Sequence, residues 1–165
     1  MIYAGARETI FSEDRRYRYV LWREWEPLLS EQPSYVMFIG LNPSTADEES
    51  DDPTIRKCIG FTKRWGHDAL CMTNLFAYCA TNPSMMKKQP DPIGLDNNDW
   101  LLALAKDAAR IIACWGLHGR FLLRDNEVLR VIKATGRRVE CLRVTGSGHP
   151  EHPLYVPYDV TPISL

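Results

Sequence analysis

Tyr35-Val36-Met37-Phe38-Ile39-Gly40-Leu41 runs directly into Asn42-Pro43-Ser44-Thr45-Ala46-Asp47, and the way the two halves meet decides the fold. The first half is apolar throughout, with none of the polar alternation that a strand with one wet face would show. It reads as a strand covered on both sides. The second half is its tip, stopped by proline and turned by small polar residues. A short acidic loop then leads to Asp52-Pro53, a capping carboxylate followed by proline at the first helical position. Ile55, Cys58, Ile59, Thr62 and Trp65 recur at helical spacing, and Gly66 is placed to end the helix. Residues 69–73 read as the next strand, finishing at Asn74.

Working outward, the same strand–tip–helix order returns. A proline-rich stretch over 82–92 contains a short helix and a turn. A helix is expected over 97–109, with Trp100, Leu101, Leu104 and Ala108 on one side, and a strand over 110–115 stopping at Gly116. Another helix spans 120–134, closed by Gly136, and the last buried strand spans 139–144. Residues 17–25 read as an early strand, antiparallel or at an edge. Alternating strands and helices imply parallel pairing through right-handed crossovers. The expectation is one α/β domain over residues 1–165. Its architecture is a three-layer α/β/α sandwich with a short, mostly parallel sheet of about four core strands and N-terminal edge strands.

With 165 residues, 45% of them apolar and 25% charged, the chain suits a single core. No apolar run approaches the ~20 residues that cross a bilayer, and no signal-peptide pattern opens the chain, so no membrane partner and a cytoplasmic location are expected. The five cysteines form no C-x-x-C and are odd in number, which points to free thiols rather than disulfides or zinc. A net charge of −1 argues against strong non-specific grip on duplex DNA.

Sheets of this class bind ligands outside the carboxyl ends of their strands. The tips therefore hold the candidates: 42–45, 74–78, 116–119 and 146–155. Gly40 permits close approach of a ligand or backbone, and Pro43 stiffens the turn. The amide of Asn42 can orient a water or bind a heteroatom, or else satisfy the loop backbone together with Ser44 and Thr45. Asp47, nearest to Asn42 in the run Asp47, Glu48, Glu49, Asp51, Asp52, is a candidate general base. The run itself reads either as a solvated loop with a helix cap or as carboxylates for a metal-dependent phosphohydrolase. Asn74 offers a second amide, suited to reading the edge of a nucleobase, with Phe76 and Tyr78 as stacking rings or core anchors. His149 and His152 can stabilise negative charge, move a proton or ligate a metal, with His118 the one further histidine able to join them, although a metal site is the lesser reading. No metal or cofactor is called for.

In order, the motifs L-N-P-S-T-A-D (41–47), D-D-P-T-I-R (51–56), N-L-F-A-Y (74–78), W-G-x-H-G (115–119) and H-P-L-Y (152–155) resemble an uncharacterised bacterial and phage family. More distantly, G-x-N-P, a strand-end Asn, a strand ending in Gly and an H-P motif are similar to the uracil-DNA glycosylase superfamily. That resemblance implies a fold of the same type and an N-glycosidic hydrolase. In it Asn42 positions the hydrolytic water, Asn74 recognises the base and Phe76 stacks on it. Either His149-Pro150 or His152-Pro153 steadies the leaving base, and Leu154 serves as a wedge. The chain is thus expected to be a base-excising or nucleoside-cleaving hydrolase, a non-catalytic nucleobase- or nucleotide-binding module, or a metal-dependent phosphohydrolase.

Overall fold

The apolar run forms the strand β3 (Tyr35–Gly40), and its side chains divide between two cores. Val36 and Phe38 point to one side, where Ile55, Cys58 and Phe61 of α1 (Pro53–Arg64) cover them. Met37 and Ile39 point to the other, against Leu101 and Leu104 of α3 (Asn97–Asp107) and Val128 and Ile132 of α4 (Arg124–Ala134). Burial on both faces is the reason the sequence shows no alternation here, and each large side chain so covered contributes about 1.5–3 kcal/mol.

The computed structural model describes residues 7–25 and 32–165; residues 1–6 and 26–31, which the expected domain span of 1–165 includes, lie outside the described residues. The remaining elements are β1 (Arg7–Phe11), β2 (Arg18–Glu24), β4 (Ala69–Asn74), the short α2 (Pro83–Lys87), β5 (Arg110–Ala113), β6 (Glu140–Cys141) and β7 (Ile163–Ser164). Together with β3, these strands make a mixed seven-stranded sheet in the order β1-β2-β4-β3-β5-β6-β7. Parallel pairing joins β4 to β3, β3 to β5 and β5 to β6. At the two sides β2 runs antiparallel to β4 and β7 antiparallel to β6. The chain is thus α/β, with four α-helices among the described residues. None of them is long and apolar enough to cross a membrane.

The connections place the site. From β3 the chain crosses through α1 to β4 on one side, then returns through α3 to β5 on the other side of β3. Right-handed crossovers in opposite directions require opposite faces, as the two helix sets show. The connections leaving β3 and its neighbour β5 therefore diverge, and a crevice opens at their carboxyl ends.

Local expectations hold where the signal is local. Asp52 caps α1, its Oδ1 accepting the Ile55 N–H at 2.9 Å, and Gly66 follows the helix at φ 77°. Two expectations need correction. The helix expected over 120–134 begins only at Arg124, because a 3₁₀ turn over Leu117–Leu123 precedes it. There Leu122 and Leu123 both sit at φ 55°, a conformation no α-helix can propagate. The strand expected over 139–144 pairs through only Glu140 and Cys141 before the chain turns outward to an exposed Val144. The early strand β2 is antiparallel, as expected, and β1 beyond it forms the edge of the sheet.

Candidate functional site

A cavity of about 550 Å³ opens at the carboxyl ends of β3, β4 and β5, within the range that accommodates a nucleoside-sized ligand. The β3 tip supplies Gly40, Asn42, Ser44 and Thr45, and the N-terminus of α1 supplies Asp52, Thr54 and Ile55. Met72 and Asn74 come from β4, and Trp115, Gly116 and His118 from the segment after β5. Arg18, His152, Leu154 and Tyr155 also line it.

Asn74 sits on backbone that is held from behind. Asn97 donates through Nδ2 to the carbonyls of Asn74 and Leu75 at 3.1 and 3.0 Å, and Arg124 donates through Nε to Leu75 at 2.9 Å. Both holding side chains are buried. The Asn74 side chain itself is only 4% exposed, yet its Nδ2 has no hydrogen-bond partner. Its Oδ1 lies over Gly40, where any Cβ would come within 2.8 Å. A side chain at position 40 would therefore displace this amide. A buried, unpaired amide is uncommon because it costs about 1–3 kcal/mol.

Trp115 forms a buried wall, and its Nε1 is likewise unpartnered. Two glycines follow it, one required by its backbone conformation and one by contact with the indole. Gly116 adopts φ 69°, ψ −164°, a region reserved for glycine, and its N–H donates to Pro150 at 2.9 Å. Gly119 lies flat against the indole, with no space for a methyl group.

Asn42 has two roles divided between its two ends. Its Nδ2 donates to the carbonyl of Ala80 at 2.8 Å, with Pro43 and Tyr78 carbonyls at 3.2 and 3.4 Å, which ties the β3 tip to the segment after β4. Its Oδ1 accepts nothing among the described residues, so the carbonyl end is the group this amide offers to a ligand.

Of the two histidines left open by sequence, His152 lines the cavity and His149 does not. The Nδ1 of His152 accepts the Leu154 N–H at 3.3 Å, which leaves the proton of the neutral ring on Nε2. His149 is buried beside the Thr145 turn, with its N–H on Thr145 Oγ1 and its Nε2 unpartnered. His118 lines the rim, its Nδ1 3.0 Å from Lys87 Nζ.

Asp47, Pro43, Phe76 and Tyr78 lie outside the lining. Asp47 closes its own loop, its Oδ1 taking the N–H groups of Glu49 and Ser50 at 2.9 Å each. Those bonds hold its carboxyl below the usual range. The acidic run as a whole is clamped by arginines. Arg7 and Arg23 meet Asp51 at 3.0 and 2.7 Å, and Arg15 meets Glu48 at 3.1 Å. Phe76 is fully buried, 5.6 Å from the ring of Phe121, and Tyr78 packs edge-on to Tyr17. The flat surface facing the cavity is Trp115 instead.

A family model described as protein of unknown function (DUF1643) matches residues 18–154. The chain belongs to this family. The DUF1643 span begins at Arg18, on the cavity, and ends at Leu154, on its rim, so it takes in every lining residue except Tyr155. No curated protein and no solved structure matches the chain.

Sequence reasoning did not single out Arg18, Asp52 as a cavity group, Thr54 or Trp115. For Trp115 a signal existed, since an aromatic at the end of a buried strand, directly followed by Gly116, stands at a tip. For Arg18 none was available without strand order, because only antiparallel pairing brings the start of β2 to the carboxyl end of β4.

The histidines carry a pH prediction. Burial lowers the pKa of His67, His118 and His152 below the ordinary 6.5, with Lys87 adding to the effect at His118. The unfolded chain therefore takes up protons before the folded one does, and the stability present above pH 6.5 falls as the pH drops through and below that value. Urea midpoints should decline from pH 7 to pH 5, and His152→Gln should reduce that slope. A midpoint that stays flat over this window in the wild type contradicts the assignment.

Proposed function

We propose that this chain is a three-layer α/β/α sandwich of the uracil-DNA glycosylase type, and that its cavity hydrolyses the N-glycosidic bond of a nucleoside or nucleotide. The observation that carries this reading is the unpaired Asn74 amide, buried at the cavity floor on a rigidly held strand end. Such a group discriminates among bases because only a complementary edge satisfies it, and a mismatched edge leaves it unpaired. Trp115 supplies an apolar wall beside it, suited to a planar ring.

In the reaction, water adds to C1′ of the sugar and the bond from C1′ to the base nitrogen breaks. The electron pair of that bond leaves with the base, and a proton from the water ends on it. Asn42 Oδ1 accepts a hydrogen bond from the attacking water, while its Nδ2, anchored on Ala80, keeps the oxygen directed. His152 Nε2–H donates to the departing base and stabilises the charge that develops there. Leu154 and Tyr155 form the apolar rim around the entrance.

A second reading, binding of a nucleobase or nucleotide without turnover, is favoured by a specific observation. Asp47, the carboxylate expected as base, is bonded into its own loop, and Asp52 has one oxygen on the helix N-terminus.

The test is release of free base from nucleosides, 5′-mononucleotides and base-modified oligonucleotides, comparing wild type with His152→Ala. Selective release of one base, slowed about 100-fold or more in the variant, supports hydrolysis. Saturable binding with no release supports the binding module. Neither binding nor release across the panel removes the nucleobase reading.

A further inference from the structure

Three arginines are buried in the described chain, and they do not have the same surroundings. Arg23 is 2% exposed and reaches Asp51 at 2.7 Å; Arg124 is 1% exposed and reaches Glu127 at 2.9 Å. Arg18 is 3% exposed, and among the described residues no carboxylate oxygen comes within 4 Å of it. One arm, Nη1, donates to the carbonyl of Ala46, while Nε has no partner at all. Burial pushes the guanidinium down to about 10, so it stays charged at neutral pH. Asp52 and Asp47 act on it only from a distance; a buried cation with no carboxylate in contact is costly, and a site that keeps one can receive an anion.

The surroundings agree. Arg18 lines the cavity, and so do Ser44, Thr45 and Thr54, whose hydroxyls make no hydrogen bonds among the described residues. Thr54 is the second residue of the 12-residue α1, where the helix dipole favours negative charge. Asp52 is the one carboxylate in the lining, and its Oδ1 is held by the Ile55 N–H.

We propose that Arg18, with the hydroxyls of Ser44, Thr45 and Thr54, holds the phosphate of a nucleoside monophosphate. This rests on the nucleobase reading of the same cavity, with the base at Asn74. A monoester is favoured over a phosphodiester for a steric reason. The guanidinium is almost fully enclosed, and a diester would need two chain exits past it, whereas a monoester needs one. A net charge of −1 also gives a polymer no broad basic surface to follow.

The experiment is calorimetric titration of the full chain with nucleosides, their 5′-monophosphates, inorganic phosphate and a single-stranded oligonucleotide. Wild type is compared with Arg18→Met, which fills the same space without charge, and with Arg18→Lys, which keeps charge without the fork. Thermal melts verify that each variant is folded. Wild type should bind the monophosphate at least about tenfold more tightly than the nucleoside of the same base. Arg18→Met should bring that ratio near one while nucleoside affinity stays, with Arg18→Lys between. A ratio near one in wild type, or one preserved in Arg18→Met, overturns the proposal. If no nucleoside or mononucleotide binds, protection against unfolding by inorganic phosphate, lost in Arg18→Met, sustains the phosphate site and removes the base. Absence of that protection overturns both. Arg18-dependent binding of the oligonucleotide alone overturns the monophosphate in favour of a phosphodiester.

Discussion

Asn74→Ala is expected to lower affinity for the bound nucleoside or nucleotide by about 100-fold, through loss of two hydrogen bonds in a dry site. The melting temperature of the unliganded protein should stay where it is or rise. The two halves of this result come from one fact: the Nδ2 of Asn74 is buried without a partner. In the empty protein that donor lowers stability by about 1–3 kcal/mol, so deleting it compensates for the van der Waals packing that goes with the side chain. In the complex the same donor meets the ligand. A polar side chain retained for structure behaves in the opposite way, as Asn97 illustrates, with its Nδ2 on two backbone carbonyls. Calorimetric titration and thermal melts on the same variant check both halves. A destabilised Asn74→Ala that binds as wild type does would make the amide structural and remove the main support for base recognition.

Gly119→Ala should cost about 3 kcal/mol and lower the melting temperature by on the order of 10 °C, although it adds a single methyl group. That methyl would lie 2.2 Å from Cδ1 of Trp115. The indole is 3% exposed and cannot retreat without opening a void or filling the cavity it lines. Ligand binding should therefore fall with stability. Gly146→Ala, where nothing lies within 4 Å of the added carbon, is the control and should stay within about 0.5 kcal/mol of wild type. Urea denaturation of the two variants compares them directly. If Gly119→Ala unfolds with the wild type, Trp115 is looser than its burial implies.

Much of the frame was legible because its signals act over a few residues. Asp52-Pro53 and Gly66 bound a helix whatever surrounds them. The run 35–41 and the strand ending at Asn74 announced themselves by composition. The tips followed, and with them Gly40, Asn42, Asn74, His118 and His152, which the structure gathers on one cavity. Local signals failed where pairing or packing decides the outcome. Nothing within 120–134 marks Leu122 and Leu123 for the left-handed region; they adopt it where Arg124 goes inward to hold Leu75. Nothing in H-P-E-H-P distinguishes its two histidines, because which ring faces inward depends on the turn from Thr145 to His149.

The sequence by itself determined that this chain alternates strands and helices, that one strand is covered on both faces, and that polar residues collect at the strand tips. These are properties of periodicity and capping, which need no partner further away than a helical turn. Only the tertiary structure decided that Arg18 is a cavity residue, that Asp47 is not, and that arginines hold the acidic loop. Each of these depends on pairing between segments remote in sequence. Antiparallel pairing of β2 with β4 sets the first residue of one strand beside the last of the other, and a buried charge acquires its meaning from what that neighbour leaves unpaired.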